Sequence, residues 1–121
     1  MSKTRFALAP LLDRYRFTEE RCRVDAAASI RARDDIREAI VKLEEQLCDW
    51  HHRNVAHRAL VERAIVARTR SLGIGNEECA RAREALCAAS RDRAVLERLE
   101  ARQRAQWLRR ERRSEEREAG W

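Results

Sequence analysis

The scarcity of glycine and proline constrains this 121-residue chain more than any other feature. The chain contains three glycines and one proline, and neither residue type occurs between Pro10 and Gly73. Sandwiches and barrels need turns rich in glycine, proline and asparagine, and doubly wound α/β domains need glycine between strands and helices. Both classes are therefore excluded, whereas the abundant alanine, arginine, glutamate and leucine favour long helices.

The charge content raises disorder as a competing interpretation, because charged residues make up 40% of the chain. Basic and acidic residues nearly balance, however, at 27 against 21, and the apolar residues recur periodically. We therefore expect a single all-α domain over residues 1–121. Its core should be thin, because much of the apolar fraction is alanine.

Apolar or small residues in the first half recur in alternating steps of three and four, the heptad spacing of a coiled-coil seam. They are Leu8, Leu12, Tyr15, Cys22, Ala26, Ser29, Ile36, Ile40, Leu43, Leu47 and Trp50. Glu19 and Arg33 interrupt this row. A thinner row follows at Cys79, Ala82, Leu86, Ala89, Leu96, Leu99, Gln103 and Trp107. The predicted coiled-coil core comprises Ile36, Ile40, Leu43, Leu47, Trp50, Leu86 and Leu96.

The clearest break in the helical pattern is the segment 71–76, where Gly73 and Gly75 precede Asn76. Glycine commonly ends helices and asparagine begins them. We predict helix one over about 9–70, a turn over about 71–76 and helix two over about 77–118, which together form a long antiparallel two-helix coiled-coil hairpin. A second break near 49–52 would change the pairing, but no glycine or proline supports it.

The two predicted arms differ in length, so about 25 residues at the start of helix one would have no partner helix. This stretch includes the apolar residues Phe6, Leu8, Leu11 and Leu12. An apolar helix end of this kind needs another surface to cover it, which predicts an interaction with another protein.

The sequence contains no catalytic constellation and no phosphate-binding loop, so we expect neither enzymatic activity nor a cofactor. Cys48, His51, His52 and His57 lie close together, but no second Cys/His pair completes a zinc site, so no metal is expected. The chain shows no Cys-x-x-Cys pair, signal peptide or membrane span. These features favour reduced cysteines and a cytoplasmic protein without direct membrane insertion.

The net charge of +6 comes almost entirely from arginine and fits a nucleic acid, an anionic membrane or an acidic protein as partner. Basic residues alternate with acidic ones, and the densest basic run, 109–113, is followed by Glu115 and Glu116. This interleaving argues against nucleic acid, whereas the planar donor group of arginine suits an acidic protein surface. Trp107 and Trp121, near the end of the chain, are further candidates for a protein contact.

Two segments resemble a known family. Residues 5–14, RFALAPLLDR, resemble the F-x-(L/F)-x-x-L-L opening of the flagellar export protein FliJ. Residues 88–103, AASRDRAVLERLEARQ, resemble the C-terminal helix of that family, in which a small-residue run leads into a basic E-(K/R)-L-x-x-(K/R)-Q segment. The injectisome counterparts, the YscO-type (SctO) proteins of type III secretion, have the same general layout.

The resemblance implies an antiparallel coiled coil similar to the central stalk of rotary ATPases, at the cytosolic base of an inner-membrane secretion apparatus. The end with both termini would enter the pore of the hexameric secretion ATPase. The ATPase-binding residues it implies are Phe6, Leu8, Leu11, Leu12, Arg14, Arg98, Arg102, Gln103 and Trp107. The part near the turn would face the cytosolic domain of the major export-gate protein, and export chaperones are further implied partners.

Two alternatives follow from the residues without the resemblance. One is a structural coiled-coil adaptor that dimerises through the seam from Ile36 to Trp50. The other is a basic helical protein that binds nucleic acid. The chain is also shorter in the middle than the family norm, so gate contacts assigned there do not transfer residue by residue.

Overall fold

The computed structural model describes residues 6–49 and 55–120, and two helices account for nearly all of them. Helix α1 spans Ala9–Asp49 and helix α2 spans Val55–Glu118. They pack against each other in opposite directions: as α1 advances from Arg16 to Glu19, the contacted residue in α2 moves back from Glu97 to Arg93. No strand occurs in these two ranges. The predicted all-α helical hairpin is confirmed.

The outer ends of the two helices follow ordinary capping chemistry. At the start of α1, the amide of Ala9 donates to the carbonyl of Phe6 at 3.0 Å. Pro10 follows in the first turn, where a missing N–H costs nothing because those amides have no acceptor within the helix. At the far end of α2, Gly120 has a φ of +80° and its amide donates to the carbonyl of Arg117. Glycine therefore ends α2 after Glu118.

The turn predicted over 71–76 is wrong, as are the predicted helix bounds of 9–70 and 77–118. Helix α2 continues through this segment, and neither Gly73 nor Gly75 has a positive φ. A glycine inside a helix costs only about 0.5–1 kcal/mol relative to alanine. Continuing the helix keeps Leu72, Gly75 and Cys79 on one covered face of α2, so glycine alone does not end it.

The second break considered above, near 49–52, is closer to the observed connection than the predicted turn over 71–76 is. Helix α1 ends at Asp49 and α2 begins at Val55, so the connection falls within 50–54, outside the described residues. Trp50, His51 and His52, named in the sequence analysis, also lie outside them. Since this stretch has no glycine or proline, composition offered no local signal for it.

The prediction that the start of helix one has no partner helix is also wrong. Because α1 ends at Asp49, its first residues reach the late part of α2 instead of extending past it. Phe6 is 8% exposed, Leu12 is 1% exposed and Leu11 is half-buried, whereas Leu8 is 41% exposed. The chain itself therefore covers most of the apolar start that was expected to need another protein.

The described chain divides into two compact units. The first combines the residues up to Arg21 with those from Cys87 onward. Its buried residues are Phe6, Leu12, Glu19, Ala89 and Leu96. Beyond Trp107, the rest of the described chain leaves α2 uncovered, because every described residue from 108 to 120 is exposed apart from the half-buried Glu111.

The second unit spans Cys22–Leu86. Ala26, Val61 and Cys79 are its buried apolar residues. Gly75 is buried beside Arg33: a methyl group added to the glycine would lie 3.7 Å from the Arg33 Cβ, which is ordinary contact. The side chains that cover one another here are small, so the packed layer is thin.

The heptad rows can be compared with burial position by position. In α1, Leu12 and Ala26 are buried and Tyr15, Cys22 and Ser29 are half-buried, so the row holds from residue 12 onward. Leu8 and Leu99 do not belong to the covered rows, because both are exposed. The position of Leu99 is taken by its half-buried neighbour Glu100.

Candidate protein-binding surface

The two segments that carry the family resemblance lie in the same unit. Residues 6–14 open α1 and residues 88–103 belong to α2, and both fall within the first unit. Arg16, just after the first segment, contacts Glu97 within the second, with 3.4 Å between Nη2 and Oε1. Two stretches separated by more than 70 residues in the sequence therefore belong to one packed unit.

The nine residues implied by the resemblance divide into buried, half-buried and exposed sets. Phe6 and Leu12 are buried. Leu8, Arg14, Arg98 and Arg102 are exposed, and Leu11, Gln103 and Trp107 are half-buried. A buried side chain cannot contact a partner without unpacking, so the exposed set is the part available for binding.

Shallow grooves run along the outside of both helices in this unit. One is lined by Val95, Arg98, Leu99 and Arg102 of α2. Another is lined by residues of α1, namely Asp13, Arg14, Phe17 and Thr18. Phe17, Val95 and Leu99 are all exposed, so each groove combines arginine with a bare apolar side chain, a combination suited to a protein partner.

A charged network lies beneath this surface, in the row where the helices meet. Glu19 is 6% exposed and accepts a hydrogen bond from Nε of Arg93 at 2.6 Å. Nη1 of Arg93 donates to Glu97 at 2.7 Å, and Glu97 also accepts from Arg16. The buried carboxylate is thus matched by a guanidinium that bridges it to a second carboxylate, as burial of charge requires.

The hydrogen bond to Glu19, followed by the one to Glu97, raises the pKa of Arg93 above its ordinary value. A charged pair in a mostly apolar row disfavours any other alignment of the helices, because a shift would separate the buried carboxylate from Arg93. We expect the pair to fix the register of the first unit.

The heptad pattern shows Glu19 as an interruption of the first row, but Arg93 was not predicted as its partner. The signal was present, because Arg93 lies four residues after Ala89 and three before Leu96, at the vacant position of the second row. A charge at a row position in each helix, with opposite signs, predicts that the two face each other.

Within the described ranges, no group of three His, Cys, Asp or Glu side chains is arranged to hold an ion. Of the residues considered for metal binding, His51 and His52 lie outside those ranges. Cys48 is exposed and His57 is half-buried. The four cysteines Cys22, Cys48, Cys79 and Cys87 are free thiols. Neither α1 nor α2 contains a stretch long and apolar enough to cross a membrane.

Comparisons with known proteins add no identification, since no family model, curated protein or solved structure matches the chain. The surface must therefore be interpreted from its own residues and from the family resemblance of its two segments.

The residues predicted as coiled-coil core lie in both units. Ile36, Ile40, Leu43 and Leu47 are half-buried in the second unit, as is Leu86, while Leu96 is buried in the first. The part of the chain near the turn, expected to face an export gate, was placed at 71–76. Because α2 is continuous there, that segment cannot serve as the tip of a hairpin.

Proposed function

We propose that this chain is a stalk protein of a type III secretion or flagellar export system, which binds the hexameric secretion ATPase through its first unit. The observation that carries the proposal is that both segments resembling the FliJ and YscO-type family belong to one unit. They also present exposed arginines, among them Arg14, Arg98 and Arg102.

The proposed mechanism is mechanical, with no chemistry by the chain itself. A pair of helices has no six-fold symmetry, so within a six-fold pore it makes different contacts with each ATPase subunit. Different contacts favour different nucleotide states, and the ligand shifts each subunit by its differential affinity for those states. The part-buried Glu19–Arg93 pair would help by keeping the two helices in fixed alignment while the exposed residues contact the pore.

The further partners follow from the same proposal. The export-gate protein would contact the part of the chain near the connection between α1 and α2, and the chain would bind export chaperones as their escort. The protein would then act in the cytoplasm at the base of the apparatus.

The test is ATP hydrolysis by the cognate hexameric ATPase with and without the purified chain. We expect the chain to increase hydrolysis and Arg98→Ala with Arg102→Ala to remove most of the increase. Arg63→Ala with Arg83→Ala is the matched control, because these arginines are also exposed on α2 but lie in the second unit. An unchanged hydrolysis rate with the wild-type chain, or equal effects of the two variants, would contradict the proposal.

The dimerising adaptor has less support. The seam on which it depends, from Ile36 onward, is half-buried within the chain's own second unit. A second chain would have to compete with α2 for the same side chains. Sedimentation of a monomer at micromolar concentration is therefore the expected result.

A further inference from the structure

One face of α2 is basic along much of the first unit. Between residues 91 and 113, a sector about 120° wide carries six arginines and no carboxylate, as the helical repeat places them. The arginines are all exposed: Arg91, Arg98, Arg102, Arg109, Arg112 and Arg113. We call this sector the basic face. Its length is about 33 Å at 1.5 Å per residue.

The carboxylates of the same stretch lie elsewhere on the helix, and Glu97 and Glu100 have partners there. Glu97 is held by Arg93 and Arg16, and Glu100 pairs with Arg104 at 3.3 Å. The sequence alternates in sign, but between residues 91 and 113 the helix separates the signs onto different sides, and Glu116, one turn beyond Arg113, ends the basic face. This separation is why the interleaved composition understated the basic character of the surface.

Within the described residues, no carboxylate forms an ion pair with an arginine of the basic face. Arg91 and Arg109 donate only to main-chain carbonyls of their own helix. Like charges four residues apart, such as Arg98 with Arg102 and Arg109 with Arg113, repel each other, so the helix bears a cost that an acidic ligand would relieve.

Two features favour a protein helix over nucleic acid as that ligand. A helix in a DNA groove meets phosphates on both flanks, but the flank of α2 away from the basic face carries Glu111, Glu115 and Glu118. Single strands need aromatic rings for stacking, yet the basic face has none, because Trp107 lies on the opposite side and is half-buried.

We infer that the basic face binds an acidic amphipathic α-helix of a partner protein, aligned along α2. Two helices share the same 5.4 Å pitch, so carboxylates spaced three or four residues apart can meet the arginines turn after turn. The exposed Val95 and Leu99 border the face near its start, and they provide an apolar anchor for a leucine pair on the partner. The inference shares Arg98 and Arg102 with the proposed ATPase site but does not require an ATPase.

The test uses the full chain and a fluorescent helix-forming peptide of about 25 residues, long enough to span the basic face. The peptide places glutamate along one side with a leucine pair at one end. Its scrambled isomer, with the glutamates spread around the helix, is the ligand control. Anisotropy titrations at low and physiological salt should show binding of the patterned peptide that weakens as salt rises.

The chain variant is Arg98→Gln, Arg102→Gln, Arg109→Gln and Arg113→Gln combined. Its control makes the same change at four exposed arginines of the second unit, Arg63, Arg68, Arg81 and Arg83, so net charge is matched. Circular dichroism checks that both variants stay helical. We expect the first variant to weaken peptide binding about tenfold or more, since four exposed charge pairs are lost, and the control to leave it unchanged.

Several results would overturn the inference. They are equal weakening by both variants, equal binding of the scrambled peptide, or tighter binding of duplex DNA or of vesicles with equal parts phosphatidylcholine and phosphatidylserine. Each of these results concerns ligand binding and leaves the separate test, ATPase stimulation by the wild-type chain, unaffected. Conversely, peptide binding that survives a failure of ATPase stimulation would separate this inference from the proposed function.

Discussion

Replacing the two glycines inside α2 distinguishes a continuous helix from a hairpin turn. At Gly73, an added methyl group meets nothing within 4 Å, and at Gly75 it lies in ordinary contact with Arg33. Neither substitution causes a clash, and each removes the excess unfolded-state entropy of glycine, worth about 0.5–1 kcal/mol. Gly73→Ala with Gly75→Ala should therefore raise the free energy of unfolding by about 1–2 kcal/mol.

The measurement is urea unfolding followed by circular dichroism, with the wild type and both single variants in parallel. A turn over 71–76 would give the opposite sign, because glycines that end helices have a positive φ in which alanine is strained. Gly120→Ala is the internal control: its φ is +80°, so alanine there should bring no gain. A double variant less stable than the wild type would refute the continuous helix.

Three further outcomes follow from the first unit. Leu12→Ala removes the most buried large side chain and should lower the free energy of unfolding by about 2–4 kcal/mol in urea titrations, while Leu108→Ala, at a site 51% exposed, should change it by less than about 0.5 kcal/mol. Glu19→Gln keeps an acceptor for Arg93 but removes its charge, so thermal melts should show a loss smaller than that of Leu12→Ala. Because the pKa of Arg93 is raised, the stability it contributes is present below its unfolded pKa and is lost only as pH rises through the higher folded value. The difference between wild type and Glu19→Gln in urea titrations should accordingly stay constant from about pH 7 to 10, and a difference that shrinks across this range would contradict the assignment.

The helical class was predictable because it depends on composition and periodicity, which are local. The position of the break was not predictable, because the presence of glycine at one site and its absence at the other both indicated the wrong position. Gly73 and Gly75 marked a turn that α2 does not make, and 50–54 has no glycine or proline. Glycine lowers helix stability only modestly, so packing along the whole helix decides whether the helix continues.

A global criterion would have placed the break better. With a turn at 71–76, Phe6 and Leu12 were left without a partner helix, and this was interpreted as a site for another protein. With α1 ending at Asp49, both side chains are buried. Asking which break buries the apolar start of the chain uses the same residues and favours the second position, because apolar burial is the main driving force.

The candidate protein-binding surface was predictable in part, because the apolar rows also indicate which side chains are exposed and which face each other. Exposure of Arg98 and Arg102 follows from their places between the rows, and the Glu19–Arg93 pair follows once the second row is continued through Arg93. The basic face is a property of the helix and not of any short window, since successive arginines on it are up to seven residues apart. The order of charges along the sequence does not show the basic face, whereas the angular positions of the charges around the helix do.

The division of the resembling residues into buried and exposed sets changes how binding should be tested. Alanine at Phe6 or Leu12 removes packing from the first unit, so a loss of activity there would report unfolding as readily as a lost contact. Arg98 and Arg102 make no ion pair within the described chain, so replacing them leaves the helices intact. Defects that persist in a fully helical Arg98 and Arg102 variant can therefore be assigned to the partner contact itself.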